Sequence, residues 1–353
     1  MKIIEVLNAL KSRTSIRVAR RLLAQNGFPR GQGWDQIEEK LKSTKVAAKA
    51  DSAGLENALK ELLFVGDKNV RVYKLSNGGM VELRRKAAKL SINKSGVFAT
   101  HFPASVPEKL LQSLPTQNPI AICKIETPEA IAILYSSVKI IETREKLNPS
   151  HLKANVAGYY DELIGIKQSK IQAFDAVIVS KKAPYVYCLT DAYQDSTASF
   201  RNALQATLVP IVNQIAGRKV LGKPENLFPV IDPLYKGGQG FVKTLFWTTT
   251  TSSGKHEWMR STGQCLRDEI AHKAAMGVIG KGFTTYGLEV GWLLDEVEGY
   301  SPTPLLSILG LYRMTYEAKP QLPDASVWGC ATFDELFEVL GEMMVHVHGS
   351  KIV

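Results

Sequence analysis

Residues 174 to 191 read FDAVIVS, KKAP, YVYCLTD: two runs rich in β-branched and aromatic side chains around a four-residue turn that contains a proline. Such runs favour the pleated, half-buried surface of a sheet, and the turn folds one back on the other as a hairpin. A second pair, IAICKI at 120–125 and AIAILYSSVKII at 130–141, flanks the turn ETPE. GFVKTLFWTTTT (240–251) and FTTYGLEVGWLLDE (283–296) add two further strand patterns. A chain of this kind must build a core around paired strands.

Helical patterns surround these strands. Ile3, Val6, Leu7 and Leu10 mark a helix over 2–10, and Ile16, Ala19, Leu22 and Leu23 mark another over 15–26. Gly27 and Pro29 stop the second one. Trp34, Ile37 and Leu41 give a third helix, and residues 55–63 a fourth. In LFVGDKNVRVYKL two apolar runs flank Gly66–Asn69, which predicts a hairpin. Three helices, a fourth and a hairpin resemble, in element order over residues 1–76, a winged helix-turn-helix, whose wing touches nucleic-acid backbone.

SNGGM at 76–80 is the expected boundary of this module, and VELRRKAAKL beyond it reads as a linker or surface helix. Ser105 and Glu108 have capping-box spacing before KLLQSL, within a small α/β unit that ETREKLNPS closes. A helix follows from Thr197 to Ala216, kinked at Pro210. Further helices are expected at 256–276, around 304–310 and at 333–344. The fold class is therefore α/β (α+β) and multidomain: a basic winged-helix-like domain at 1–78, a linker helix and small α/β unit at 79–150, and a larger α/β domain at 151–353.

Charge gives the strongest functional lead. The 353 residues sum to +10, yet residues 1–100 alone hold 20 Lys or Arg against 9 Asp or Glu, so all of the excess lies there. Arg13, Arg17, Arg20 and Arg21 stand at i, i+4, i+7 and i+8, opposite the apolar stripe of the second helix. That asymmetry points to a polyanion, nucleic acid and DNA first, with Arg13, Arg17, Arg20, Arg21, Lys68, Arg71, Arg84, Arg85 and Lys86 as expected phosphate contacts. A basic face kept for solubility is the competing account. A DNA-binding component of a host-defence or mobile-element system fits this layout, as does a non-catalytic subunit of a protein complex or a homo-oligomer.

Enzymatic motifs are sparse. Asp295, then Glu317-x-Lys319, has the order of a metal-dependent nuclease in which carboxylates hold Mg²⁺ and the lysine positions water. It predicts an Mg²⁺-dependent nuclease as the alternative to plain binding; otherwise no cofactor is expected. His256 and His272 lack zinc-ligand spacing, and Arg267 to Glu269 read as a polar pocket or an ionic network. KGGQG (236–240) precedes a strand and so reads as a turn, not a phosphate loop. His346 and His348 form a lone pair on an expected strand. The four cysteines stand 65 or more residues apart, as reduced thiols in a cytosol would. No signal-peptide pattern or membrane span is evident, so a cytoplasmic protein is expected.

Overall fold

The hairpin at 174–191 lies within a ten-stranded sheet whose neighbouring strands are all antiparallel. The structure is a computed structural model and describes residues 3–42, 50–92, 94–148, 162–193, 197–251, 253–280, 282–297 and 299–348. The chain runs α1 (Ile3–Arg13), α2 (Ile16–Gln25), α3 (Trp34–Leu41), α4 (Ser52–Val65), β1 (Lys68–Lys74), α5 (Asn77–Lys89), α6 (Val97–His101) and α7 (Glu108–Ser113). It continues through β2 (Gln117–Glu126), β3 (Ala130–Lys146), β4 (Ile164–Ser180), β5 (Tyr185–Asp191), α8 (Ala198–Ala216), α9 (Ile231–Lys236), β6 (Phe241–Thr249) and β7 (Gly254–Trp258). The last elements are α10 (Ile270–Ile279), β8 (Phe283–Gly291), β9 (Leu305–Leu309), β10 (Ala325–Trp328) and α11 (Phe333–His348). The strand order is β2-β3-β4-β5-β1-β10-β9-β8-β6-β7.

Helices cover both faces of the β2-to-β1 half, and this explains its nearly unbroken apolar runs. Along β3, Ala132 and Leu134 join the core under α4 and α11, whereas Ile131, Ile133 and Tyr135 join the core under α5 and α8. Residues on β4 divide the same way: Ala176 and Ile178 on one side, Val177 and Val179 on the other. A third core holds the N-terminal helices together through Leu7, Leu10, Leu22, Leu23, Ile37 and Leu59. Leu62 belongs to that core and its neighbours Leu63 to Val65 to the sheet core, so α4 is the hinge of packing between them.

Several expectations are corrected here. No hairpin forms around Gly66–Asn69: Leu63, Phe64 and Val65 complete the last turn of α4, and Lys68–Lys74 is one strand between β5 and β10. The wing on which the winged-helix reading rested is thereby lost. Residues 77–80 open α5, capped by Ser76. Residues 254–258 form edge strand β7, not the start of a helix, and the helical part of that segment is a 3-10 turn at Leu266–Asp268 followed by α10 from Ile270. Residues 305–309 pair with β8 and β10 as a strand; a five-residue apolar run fits helix and strand alike. α7 takes Pro107 as its N-cap, so the Ser105 capping box does not form. Residues 346 and 348 lie in a helix, α11, where positions two apart do not share a face. Pro210 sits inside an uninterrupted α8, which Thr197 caps and Gly217 ends in the left-handed conformation at φ 71°. Among the described residues no helix is long and apolar enough to cross a membrane.

Candidate functional site

Ser15 starts α2 by accepting the Val18 amide, and the helix then presents its arginines to the rest of the protein. Arg21 is only 3% exposed and grips Glu335 of α11 with both ends of its guanidinium, at 2.5 and 2.9 Å. Arg13 reaches Asp191 at 3.2 Å and the Gln172 carbonyl at 2.8 Å, with its guanidinium 4.5 Å above the Phe174 ring. Arg20 lies over Tyr300 at 5.6 Å. Arg17 is exposed and donates to Thr303 Oγ1 at 2.6 Å.

Lys68 and Arg71 are drawn inward too. Lys68 is 2% exposed and bound to Asp191 at 2.5 Å and the Phe174 carbonyl at 2.6 Å. Arg71 forks onto Asp324 at 2.5 and 3.0 Å and also meets Asn202. A cation in the interior of a sheet needs such a partner, because an unpaired buried charge is strongly unfavourable. Arg13, Arg21, Lys68 and Arg71 are therefore corrected from surface contacts to internal anchors. Arg84 donates to the Ser180 and Ala183 carbonyls, and Lys86 to the Ala216 carbonyl and Glu82. Arg85 is exposed on α5.

Asp191 is the centre of this network. Burial pushes its carboxyl up, but Lys68, Arg13 and the Phe174 amide more than reverse that and leave its pKa below the ordinary carboxylate value. Asp175, 1% exposed and paired with Lys139 at 2.5 Å, goes the other way: burial and the nearby Asp191 charge raise it. Burial, then the negative charges of Asp191 and Asp175, hold the Tyr193 hydroxyl well above its usual pKa. It stays a neutral phenol.

Above this network runs a groove between the α1–α2 corner and the sheet. It consists of three adjoining cavities of about 620, 360 and 220 Å³. The first two share Arg13 and Tyr193, and the second and third share Ser15, Asp67 and Trp328. Lys167 and Lys170 of β4 line the first, Lys11 the second and Arg17 the third. These four cations have no carboxylate partner among the described residues; Lys170 donates to the Gln112 and Leu114 carbonyls. Lys243, also in the third cavity, lies 3.4 Å from Glu289. Of the groove's acids, Asp191 is neutralised as described, Asp67 is raised by burial and accepts the Gly329 amide at 2.9 Å, and Glu108 stays exposed at the first cavity. Lys11, Lys167, Lys170, Tyr193 and Trp328 were not singled out from the sequence, because only the folded sheet brings them to one groove.

The nuclease positions do not come together. Gly291 pairs with Leu305 and Gly287 with Leu309, so Asp295, after the end of β8, and Glu317, after the end of β9, leave opposite ends of that strand pair. Asp295, Glu317 and Lys319 are all exposed, none lies on a strand, and Glu317 stands 4.0 Å from Arg313. Among the described residues no group of three or more His, Cys, Asp or Glu is placed to hold a metal ion. The polar cluster expected around residue 267 is a buried network: His272 bridges Glu257 at 2.6 Å and the Tyr235 hydroxyl at 2.8 Å, and Trp247 also donates to Glu257. Burial raises Tyr235, so its hydroxyl stays a neutral phenol. Arg267 donates to the carbonyls of Leu234, Tyr235, Gln239 and Gly240 and so fixes the KGGQG turn. No protein-family model, curated protein or solved structure matches this chain.

Proposed function

We propose that the protein binds nucleic acid in the groove between the α1–α2 corner and the sheet, without catalysing its cleavage. The observation that carries this reading is the row of Lys11, Arg17, Lys167 and Lys170, cations without carboxylate partners among the described residues, along one continuous depression. Unpaired cations that focus on a concave surface attract a polyanion and release its counterions on contact. The internal anchors Arg13, Arg21 and Lys68 shape this surface from below and take no direct part in phosphate contact.

The test is binding of a labelled oligonucleotide to the full chain over a salt series. It compares the wild type with the triple variant Lys11→Gln, Arg17→Gln, Lys167→Gln and with a control, Arg85→Gln with Lys89→Gln, on the exposed side of α5. The triple variant binds more weakly and its log–log salt slope is shallower by about 2, close to 0.7 for each lost contact to a single strand. Affinity that depends on the α5 pair and ignores the groove variant would move the site elsewhere. No binding at low salt would end the nucleic-acid reading.

A further inference from the structure

We infer that the ligand of this groove is single-stranded nucleic acid, held by its phosphates at the rim and by its bases inside; the inference rests on the groove being a nucleic-acid site. Cavities of about 620, 360 and 220 Å³ lie within or below the size class of pockets that enclose one small ligand, roughly 300 to 1,000 Å³. Each admits a unit of a strand. A duplex keeps its bases stacked within it and presents its phosphates outward, so it would ride across the rim and leave the cavities empty.

The lining has the division of labour that a single strand requires. Lys11, Arg17 and Lys167 are exposed, as phosphate-tracking groups must be. Tyr193 and Trp328 are half-buried and lie at the two junctions between the cavities, one shared by the first and second and the other by the second and third. Tyr300 lines the third, but Arg20 and Arg30 already lie over its ring at 5.6 and 5.1 Å. The Tyr193 ring already meets Phe200 in an edge-to-face pair at 6.0 Å, so Trp328 is the principal platform for a base and Tyr193 a secondary one. Alternation of cations with aromatic rings along a groove is how single strands are held with little regard to sequence, since every base has a π-face.

The experiment measures binding of the full chain to labelled oligothymidylate and to a duplex of equal length at one salt concentration, with Trp328→Leu and Trp328→Phe beside the wild type. Oligothymidylate binds at least about tenfold more tightly than the duplex, Trp328→Leu loses about tenfold on the single strand only, and Trp328→Phe retains most of the affinity. Tryptophan fluorescence of the wild type is quenched on binding, and Trp328→Phe loses that quench while still binding; this readout holds even if the leucine variant does not fold. A duplex bound as tightly as the single strand, still sensitive to the Lys11, Arg17 and Lys167 changes, would overturn the single-strand inference and leave the groove reading intact. Failure to bind either probe would overturn both. A single-strand preference that neither Trp328 change alters would remove the stacking platform.

Discussion

Asp191 shows how much a single residue organises here. It meets Lys68, Arg13 and the Phe174 amide at once, and Lys68 forms no second ion pair among the described residues. Asp191→Asn leaves a lysine of 2% exposure without its ion-pair partner and destabilises the fold by about 3–5 kcal/mol at neutral pH, as urea unfolding would measure. The folded-state pKa of Asp191 lies below the ordinary 3.8, so its contribution is fully present above that value and is lost as pH falls through the lower folded value. The gap between wild type and variant therefore narrows below about pH 4. Asp175 and Asp67, both raised, have the opposite sign and favour the folded state as pH falls toward 3.8; the Asp191 charge is one cause of both shifts, so this gain is smaller in the variant, and the comparison is read below pH 4, where Asp191 itself titrates. A gap that stays constant to the acid limit would show that Asp191 is not held ionised by its partners. None of this was legible in the sequence. Lysine and arginine read as surface residues unless a partner is known, and the partners of Arg21 and Lys68 stand 314 and 123 positions away.

Elements were more legible where local chemistry agrees with the packing. α2 begins where Ser15 announces it and carries its apolar stripe into the N-terminal core, and the β4–β5 hairpin follows its β-branched runs. Ser15→Ala removes the cap that accepts the Val18 amide and costs about 1 kcal/mol in unfolding free energy. An unchanged stability would mean that tertiary packing alone holds the α1–α2 corner. Where short apolar runs were ambiguous, position in the sheet decided the outcome. Leu305–Leu309 became a strand because β8 and β10 flank it. Val70 and Val72 face the core under α4 and α11, and the neighbours of β1 come from the middle of the chain (β5) and from near its end (β10). Sequence spacing carries no trace of such pairings, so the same residues read as a local hairpin.

At the scale of the whole molecule, the charge asymmetry has two destinations. Part of the N-terminal excess is matched by carboxylates from later in the chain: Arg13 and Lys68 by Asp191, Arg21 by Glu335 and Arg71 by Asp324. These pairs tie α1, α2 and β1 to the sheet and α11. The part left over includes Lys11 and Arg17, and the fold sets them beside Lys167 and Lys170 from β4 to make one cationic groove. The basic opening segment is thus a fastening and, in the function proposed above, also one wall of the nucleic-acid groove. Ultraviolet crosslinking of a bound oligonucleotide to the full chain, followed by mass mapping of the modified peptides, locates that surface directly. Crosslinks at Tyr193 and Trp328 are the expected result, and crosslinks confined to peptides of α5 or α10, with the groove unmodified, would contradict it.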